Sequence, residues 1–132
     1  MDDLKEFKSD VIYVDIDQRY EVWTPHFWGL FRKRCSEAVT LTRAHIKNIY
    51  VRKSSSGKIH AKITFMEPAT IDVTFVIRAF LGDDPFRLAA DMTRWVKFGG
   101  KAEINRIFDT KFIGGEVRKA GPWISLGLLA GP

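Results

Sequence analysis

Two acidic residues separated by one residue, Asp15 and Asp17, are the strongest candidates for chemistry in this sequence. They end the run VIYVDID of residues 11–17, whose β-branched and aromatic residues are typical of a β-strand. Alternation along a strand puts both carboxylates on one face, where ionising both is costly unless a cation neutralises them. Hard divalent ions such as Mg²⁺ prefer such oxygen ligands. The stretch alone fits either a metal site or two solvated acids at an exposed strand end.

The composition is that of one basic domain. The chain has 132 residues, 45% of them hydrophobic, with a formal net charge of +5 and a pI of about 9.5. This balance favours nucleic acid or another polyanion as partner. The lone Cys35 excludes an internal disulfide and a Cys-rich zinc site, and we expect it in the core. The single cysteine and the acidic, polar N-terminus lead us to expect a cytoplasmic location, in the host cytoplasm if the protein is viral. Because no apolar run reaches the ~18 residues needed to span a bilayer, we expect no membrane partner.

Hydrophobic periodicity and turn residues predict the elements that position these side chains. Thr24 and Pro25 mark a helix start, the Ser/Gly cluster of residues 54–57 marks a hairpin turn, and Asp84-Pro85 marks a further helix start. The predicted elements are, in order, strand 11–17, helix 25–39, strand 46–53, strand 58–65, segment 70–81 as either helix or strand, helix 85–98 and strand 104–113. In helix 85–98, we expect one side to pack on the body through Phe86, Ala89, Ala90, Thr93 and Val96.

This order of elements predicts an α+β fold. It is that of an RRM-like or ferredoxin-like βαββαβ antiparallel sheet with helices on one face. We expect a single domain over residues 1–132, with a core at about residues 10–113. Residues 114–132 would form a C-terminal tail that packs on the body or on a second copy of the chain. In this topology the first strand lies in the centre of the sheet, beside the third and the last strands.

The outward-facing strand residues then form one candidate binding face. His60 and Asp109, from the third and the last predicted strands, would flank the pair Asp15 and Asp17. Polar and aromatic residues would surround these four: Tyr13, Asn48, Tyr50, Arg52, Lys58, Lys62 and Lys111. Acids in the middle of basic and aromatic groups are what a metal–nucleotide site requires.

Three short motifs, in this order along the chain, resemble those of the archaeo-eukaryotic primase superfamily, whose small plasmid and viral members are called primase-polymerases. Residues 11–17 match the first motif, apolar residues followed by Asp-x-Asp. Residues 54–60 resemble the second, a Ser/Gly-rich turn followed by a His, and residues 107–109 resemble the third, an apolar residue and an Asp. The resemblance spans about residues 10–113, and the palm domain of the family is RRM-like. Residues 78–87 also resemble a linker found in small mobile-element proteins that carry the first two motifs.

The resemblance implies a metal-dependent nucleotidyltransferase site. Asp15, Asp17 and Asp109 would be the catalytic residues and would hold Mg²⁺ or Mn²⁺, which activates the attacking 3′-hydroxyl and stabilises the leaving pyrophosphate. The triphosphate of the incoming nucleotide would be bound by Ser56, Lys58 and His60. Single-stranded DNA or RNA would be bound by stacking and by backbone contacts from Tyr13, Tyr50, Arg52, Lys62 and Lys111.

Other functions are compatible with the same residues. A non-catalytic module could bind single-stranded DNA or RNA through this sheet, and the charge of +5 favours it. Three acids would repel phosphate in the absence of metal, which speaks against it. A dimeric viral or plasmid protein with its aromatic C-terminal tail as interface is compatible with either function. His60 could also be an exposed strand histidine without a task.

Overall fold

The computed structural model describes residues 7–107, 110–113 and 115–128. Asp109, one of the predicted metal ligands, lies outside this part of the chain. The described strands and helices are, in order, β1 (Lys8–Arg19), α1 (Pro25–Thr42), β2 (Ile46–Lys53), β3 (Lys58–Thr70), α2 (Ile71–Phe80), α3 (Pro85–Phe98), β4 (Thr110–Ile113), β5 (Glu116–Lys119) and β6 (Ile124–Leu128).

The described residues form a four-stranded antiparallel sheet with the order β1-β3-β2-β6, and β4 pairs with β5 as a separate hairpin. With three helices, this α+β architecture is compatible with a ferredoxin-like βαββαβ fold, so the predicted fold class is confirmed. The hairpin of β2 and β3 is the part that the sequence predicts most closely. Its register aligns Val51 with Ala61, and Ala61 with Val14 of β1.

The predicted position of the first strand is wrong. β1 lies at an edge of the sheet, and the last described strand, β6, pairs with β2 at the opposite edge. The predicted strand 104–113 is also wrong in its first part, since residues 104–107 have no strand structure and β4 begins only at Thr110. Part of the expected tail, in contrast, completes the sheet as β6.

Polar side chains occupy the outer edge of β1, where the expected topology puts a neighbouring strand. The Tyr13 N–H donates to Oδ1 of Asn105 and the Asn105 amide donates back to the Tyr13 carbonyl, both at 2.7 Å. The Asp15 N–H donates to Asp83 and the Asp84 N–H donates to the Asp15 carbonyl, both at 2.8 Å. Since these bonds satisfy the exposed backbone groups of the edge, β1 needs no further strand here.

The core lies between one face of the sheet and helices α1 and α2. The predicted inward-facing residues of β1, β2 and β3 are all buried, and the core residues of the sheet are Ile12, Val14, Ile16, Ile46, Ile49, Val51, Ile59, Ala61, Ile63 and Phe65. Helix α1 adds Phe31, Cys35 and Ala38, and α2 adds Ile77. Burial raises the pKa of the Cys35 thiol to about 12, in agreement with its predicted place in the core.

Segment 70–81, whose pattern fits both a strand and a helix, is mostly helical. Its buried residues are Ile71, Thr74, Phe75, Ile77 and Arg78, which follow helical and not alternating spacing. Helix α3 begins as predicted, because the Asp84 carboxylate accepts hydrogen bonds from the Phe86 and Arg87 N–H groups. Within the described residues, no helix is both long and apolar enough to cross a membrane.

Candidate functional site

A cavity of about 750 Å³ lies between the sheet and helix α3. One wall consists of Asp15, residues 54–56 and His60. The other wall comes from α3 and the segment that follows it, with Phe86, Arg87, Ala90, Asp91, Arg94, Phe98, Lys101, Ala102, Glu103, Arg106 and Ile107. The volume lies within the range of small-molecule sites. The first wall is polar, and the second combines charged with apolar groups.

A row of three polar side chains crosses the sheet on the first wall. Asp15, His60 and Arg52 are direct cross-strand neighbours on β1, β3 and β2. Arg52 Nε donates to His60 Nδ1 at 3.1 Å, and His60 Nε2 lies 3.9 Å from Asp15 Oδ1. Because Nδ1 accepts a hydrogen bond, the proton of the neutral ring lies on Nε2, on the side of Asp15. The row therefore directs an N–H group and a carboxylate toward the cavity.

The carboxyl group of Asp15 is poised to respond to a ligand. Burial raises the pKa of Asp15, and the nearby Arg87 opposes this rise, while Asp83 and Asp84 add to it. A cation or a hydrogen-bond donor that enters the cavity would favour the ionised form. Binding of such a ligand would therefore release a proton from Asp15 wherever that group is still protonated.

Asp17 is not equivalent to Asp15. The register of β1 and β3 shifts between Ile16 and Arg19, so Asp17 lies at an irregularity of the strand. It forms a salt bridge with Lys58, and this hydrogen bond raises the pKa of Lys58. The side chain of Asp17 is 65% exposed, compared with 34% for Asp15. The predicted pair thus consists of one half-buried carboxylate at the cavity and one exposed carboxylate beside a lysine.

The predicted metal site stays a prediction. Within the described ranges, no group of three or more His, Cys, Asp or Glu side chains is arranged to hold a metal ion. The third predicted ligand, Asp109, lies outside these ranges. Ile107, which begins the third motif, lines the cavity together with Asp15. The donor set that can be described here, a carboxylate beside an imidazole, fits Mg²⁺ or Mn²⁺ only when further oxygen ligands complete it.

The turn between β2 and β3 holds hydroxyl groups at the rim of the cavity. Ser54 Oγ accepts a hydrogen bond from the Lys58 N–H at 2.9 Å and lies 3.2 Å from Ser56 Oγ. Gly57 has a φ of +86°, which explains the glycine at the end of the serine run. Hydroxyl donors in a fixed turn suit phosphate oxygens, and the role of Ser56 in nucleotide binding stays a prediction.

Helix α3 supplies a second wall that sequence reasoning missed. The residues predicted to pack on the body do not do so, since Phe86 and Val96 are exposed and the one buried residue of this helix is Asp91. Instead, residues spaced by four line the cavity: Phe86, Ala90, Arg94 and Phe98. The two arginines that interrupt the apolar stripe, Arg87 and Arg94, are the sequence signal that could have revealed a ligand-facing helix.

The predicted nucleic-acid face is partly covered. Trp123, which sequence reasoning left without a role, lies over the guanidinium of Arg52 at 4.3 Å and over the ammonium of Lys62 at 4.9 Å. Lys62 also lies 4.6 Å from the Tyr50 ring, and Tyr13 lies 6.1 Å from Trp123. The four predicted residues therefore do lie together. The side chain of Lys111 lies outside the described part of the molecule.

Two predicted exposures are wrong. His60 and Arg52 were both expected on an open sheet face, but both side chains are buried. His60 lines the cavity and bonds Arg52 across the strands, while Arg52 lies beneath Trp123. In this arrangement Arg52 contacts His60 and Trp123. Its guanidinium does not reach the surface, where a nucleic-acid backbone would lie.

A buried ion network fixes α3 against β1. Arg78 lies 2.7 Å from Asp83 and 2.8 Å from Asp91, and it is fully buried. Arg87 adds a second cation to Asp83 at 2.7 Å, and Arg94 adds one to Asp91 at 3.0 Å. Since Asp83 also accepts the N–H of Asp15, the network holds the strand that carries the cavity carboxylate. Residues 78–87, the predicted linker, therefore supply Arg78, Asp83 and Arg87 to the network that holds α3 against β1.

Comparison of the chain with protein-family models, with curated proteins and with solved structures finds no match.

Proposed function

We propose that this chain is a DNA-replication-type protein with a minimal primase-polymerase-like palm that binds a metal–nucleotide in the cavity and single-stranded nucleic acid beside it. One observation carries the proposal. Asp15, Ser56 and His60 come from two motifs that are far apart in the sequence, and all three line one cavity together with Ile107 of the third motif. The pairing of β1 with β3 brings Asp15 next to His60, and the turn before β3 and the segment after α3 add Ser56 and Ile107 to the same cavity.

Each residue has a role that follows from its chemistry. The hydroxyl of Ser56 and the Nε2–H of His60 donate to phosphate oxygens, and Arg52 holds the imidazole in the tautomer that can do so. Lys58 adds positive charge at the same edge. Asp15 and Asp17, with Asp109, would hold Mg²⁺ or Mn²⁺, which supplies the activation of a 3′-hydroxyl and the stabilisation of pyrophosphate when bound.

Nucleotide incorporation on a primed template tests the proposal. We expect Mn²⁺-dependent extension by the wild-type chain and a loss of at least about 100-fold in Asp15→Asn, the range seen when a group that stabilises the transition state is removed. Asp10→Asn is the matched control, because Asp10 is an exposed acid on the same strand that does not line the cavity. Equal extension by wild type and Asp15→Asn would contradict the assigned site.

A non-catalytic single-strand-binding module is the second candidate, favoured by the cations and aromatic rings grouped at Tyr50, Lys62 and Trp123. The double variant Asp15→Asn with Asp17→Asn separates the two functions. In the absence of metal, the module should bind a single strand more tightly once these two charges are removed. The enzyme-like site should instead lose Mn²⁺-dependent nucleotide binding in the same variant. A homodimer and a cytoplasmic location stay predictions from the sequence.

A further inference from the structure

We propose that single-stranded nucleic acid binds along helix α3 and the segment that follows it, and not across the sheet face that carries Tyr50 and Lys62. This inference deepens the proposed function and rests on it for the position of the reacting end. We call the proposed surface the α3 track and define it by the cavity-lining residues Phe86, Arg94, Phe98, Lys101 and Arg106.

Two exposed aromatic rings are the first observation. Phe86 is 85% exposed and Phe98 is 62% exposed, and both line the cavity. They are twelve residues apart on α3, which is about 18 Å along the helix axis at ~1.5 Å per residue. One base cannot cover both rings, whereas a strand of several nucleotides can. Stacking of successive bases on separate aromatic side chains is the usual way in which proteins hold single strands.

The charge of the track is the second observation. Arg94 lies between the two rings in the sequence, and Lys101 and Arg106 follow them. The acids of the same wall are neutralised, since Asp91 is buried against Arg78 and Arg94, and Glu103 pairs with Arg106 at 2.7 Å. The side chains of Arg94 and Arg106 are nevertheless more than half exposed. The track therefore presents a positive surface to a phosphate backbone.

The state of the sheet face is the third observation. Arg52 is buried there, and Trp123 lies over both Arg52 and Lys62. A nucleotide that contacts Arg52 on this face would have to displace Trp123 and break its cation–π contacts. The α3 track requires no such rearrangement, because its rings are already exposed.

The track also leads to the proposed reaction centre. Arg87, next to Phe86 in the sequence, donates to the Tyr13 carbonyl at 3.3 Å and lies close enough to Asp15 to influence the pKa of that carboxyl. The beginning of α3 therefore lies beside the cavity carboxylate. A strand on the track would have one end at Asp15 and would run away from it toward Phe98.

Fluorescence anisotropy with a labelled oligothymidylate tests the track. We expect the double variant Phe86→Ala with Phe98→Ala to bind at least about tenfold more weakly, since each stacked base contributes about 1–3 kcal/mol. Val96→Ala is the matched control, because Val96 is an equally exposed apolar residue of α3 that does not line the cavity. If the strand follows the α3 track, Tyr50→Ala with Lys62→Ala should lose less affinity than the Phe86/Phe98 variant, and the sheet face predicts the reverse order.

A charge series gives an independent readout. Arg94→Ala with Lys101→Ala should lower the salt dependence of binding, whereas Lys97→Ala, an exposed lysine on α3 outside the cavity, should not. Loss of binding in the Tyr50/Lys62 variant with full binding in both α3 variants would overturn the α3 track. Absence of oligonucleotide binding by the wild-type chain would overturn it as well.

Nucleotide binding separates this inference from the proposed function. If the Phe86/Phe98 variant loses the oligonucleotide but keeps Mn²⁺-dependent binding of a nucleoside triphosphate, both proposals are supported. If it loses the oligonucleotide while Asp15→Asn keeps normal nucleotide binding, the track stands and the assigned nucleotide site is wrong. If it keeps the oligonucleotide while Asp15→Asn loses the nucleotide, the site stands and the track is wrong.

Discussion

One acidic cluster lies on strand β1 and a second lies against it. The two clusters differ in how their charges are neutralised. The closed cluster, Asp83 and Asp91, is buried, and each carboxylate is paired with two arginines at 2.7–3.0 Å. The open cluster, Asp15 and Asp17, is partly exposed and meets His60 at 3.9 Å and Lys58. The same residue types thus occur in two environments close to one strand.

The difference indicates which cluster supports the fold and which can bind a ligand. A buried carboxylate needs charged partners and hydrogen bonds, because an uncompensated charge in the interior costs several kcal/mol. The closed cluster uses its oxygens for such partners and for two backbone N–H groups, that of Asp15 in β1 and that of Asn105. Asp91 and Asp15 both line the cavity. Asp91 is paired with Arg78 and Arg94, whereas burial without equivalent compensation raises the pKa of Asp15.

The largest expected effect comes from breaking the closed cluster. Arg78→Met leaves two buried carboxylates with fewer cations, and we expect the free energy of unfolding to fall by about 3–5 kcal/mol. Urea denaturation followed by circular dichroism measures this loss. Arg118→Met, at an exposed position of β5, is the control and should change stability little. A loss below about 1 kcal/mol in Arg78→Met would mean that the network does not hold the fold together.

A medium effect is expected at the edge of β1. Asn105→Gly removes both side-chain hydrogen bonds to Tyr13, which should lower the free energy of unfolding by about 1–3 kcal/mol. Asn105→Ala should cost more, because Asn105 has a φ of 57°, a conformation that alanine adopts less readily than glycine or asparagine. Denaturation of the two variants side by side checks the order. Wild-type stability in Asn105→Gly would show that the bonds to Tyr13 contribute nothing.

The smallest effect on stability is expected in the open cluster and depends on pH. Folding raises the pKa of Asp15, so the folded state binds more protons than the unfolded state between the two pKa values. The contribution of Asp15 to stability is therefore full below the unfolded pKa of about 3.9 and is lost as pH rises through the folded pKa. At neutral pH, Asp15→Asn should be at least as stable as wild type.

Thermal denaturation over a pH series checks this prediction. The advantage of Asp15→Asn over the wild-type chain should shrink as the pH falls, because the wild-type carboxyl is then protonated in both states. Asp10→Asn, at the exposed position on the same strand, should show no such trend. A variant that is clearly destabilised at neutral pH would assign Asp15 to the supporting cluster and not to a ligand site.

Local patterns in the sequence predicted much of the fold. The alternation of residues 58–65, the serine–glycine turn and the Asp84-Pro85 helix start are set by neighbouring residues, and the structure agrees with each. The edge position of β1 could not be predicted in this way. It depends on Asn105, which is 92 positions away from Tyr13. The side-chain amide of Asn105 makes the two backbone hydrogen bonds to Tyr13 that a neighbouring strand would make.

The candidate site was predicted in part for the same reason. The predicted topology correctly put the first strand beside the third, and Asp15 and His60 are direct neighbours in this pairing. The burial of Arg52 depends on Trp123, which reaches the sheet only through the pairing of β6 with β2. Helix α3 turns Asp91 and its ion network toward the interior, and not its apolar stripe. Phe86, which belongs to that stripe, is therefore exposed.

Calorimetric titration of the chain with a nucleoside triphosphate and Mn²⁺ tests the central claim most directly, namely that the open cluster binds a metal–nucleotide. We predict binding by the wild-type chain and by Asp10→Asn, at least about tenfold weaker binding by Asp15→Asn, corresponding to ~1.4 kcal/mol, and no comparable loss in Val96→Ala. Equal affinity of the wild-type chain and Asp15→Asn, or no binding by either, would contradict the account.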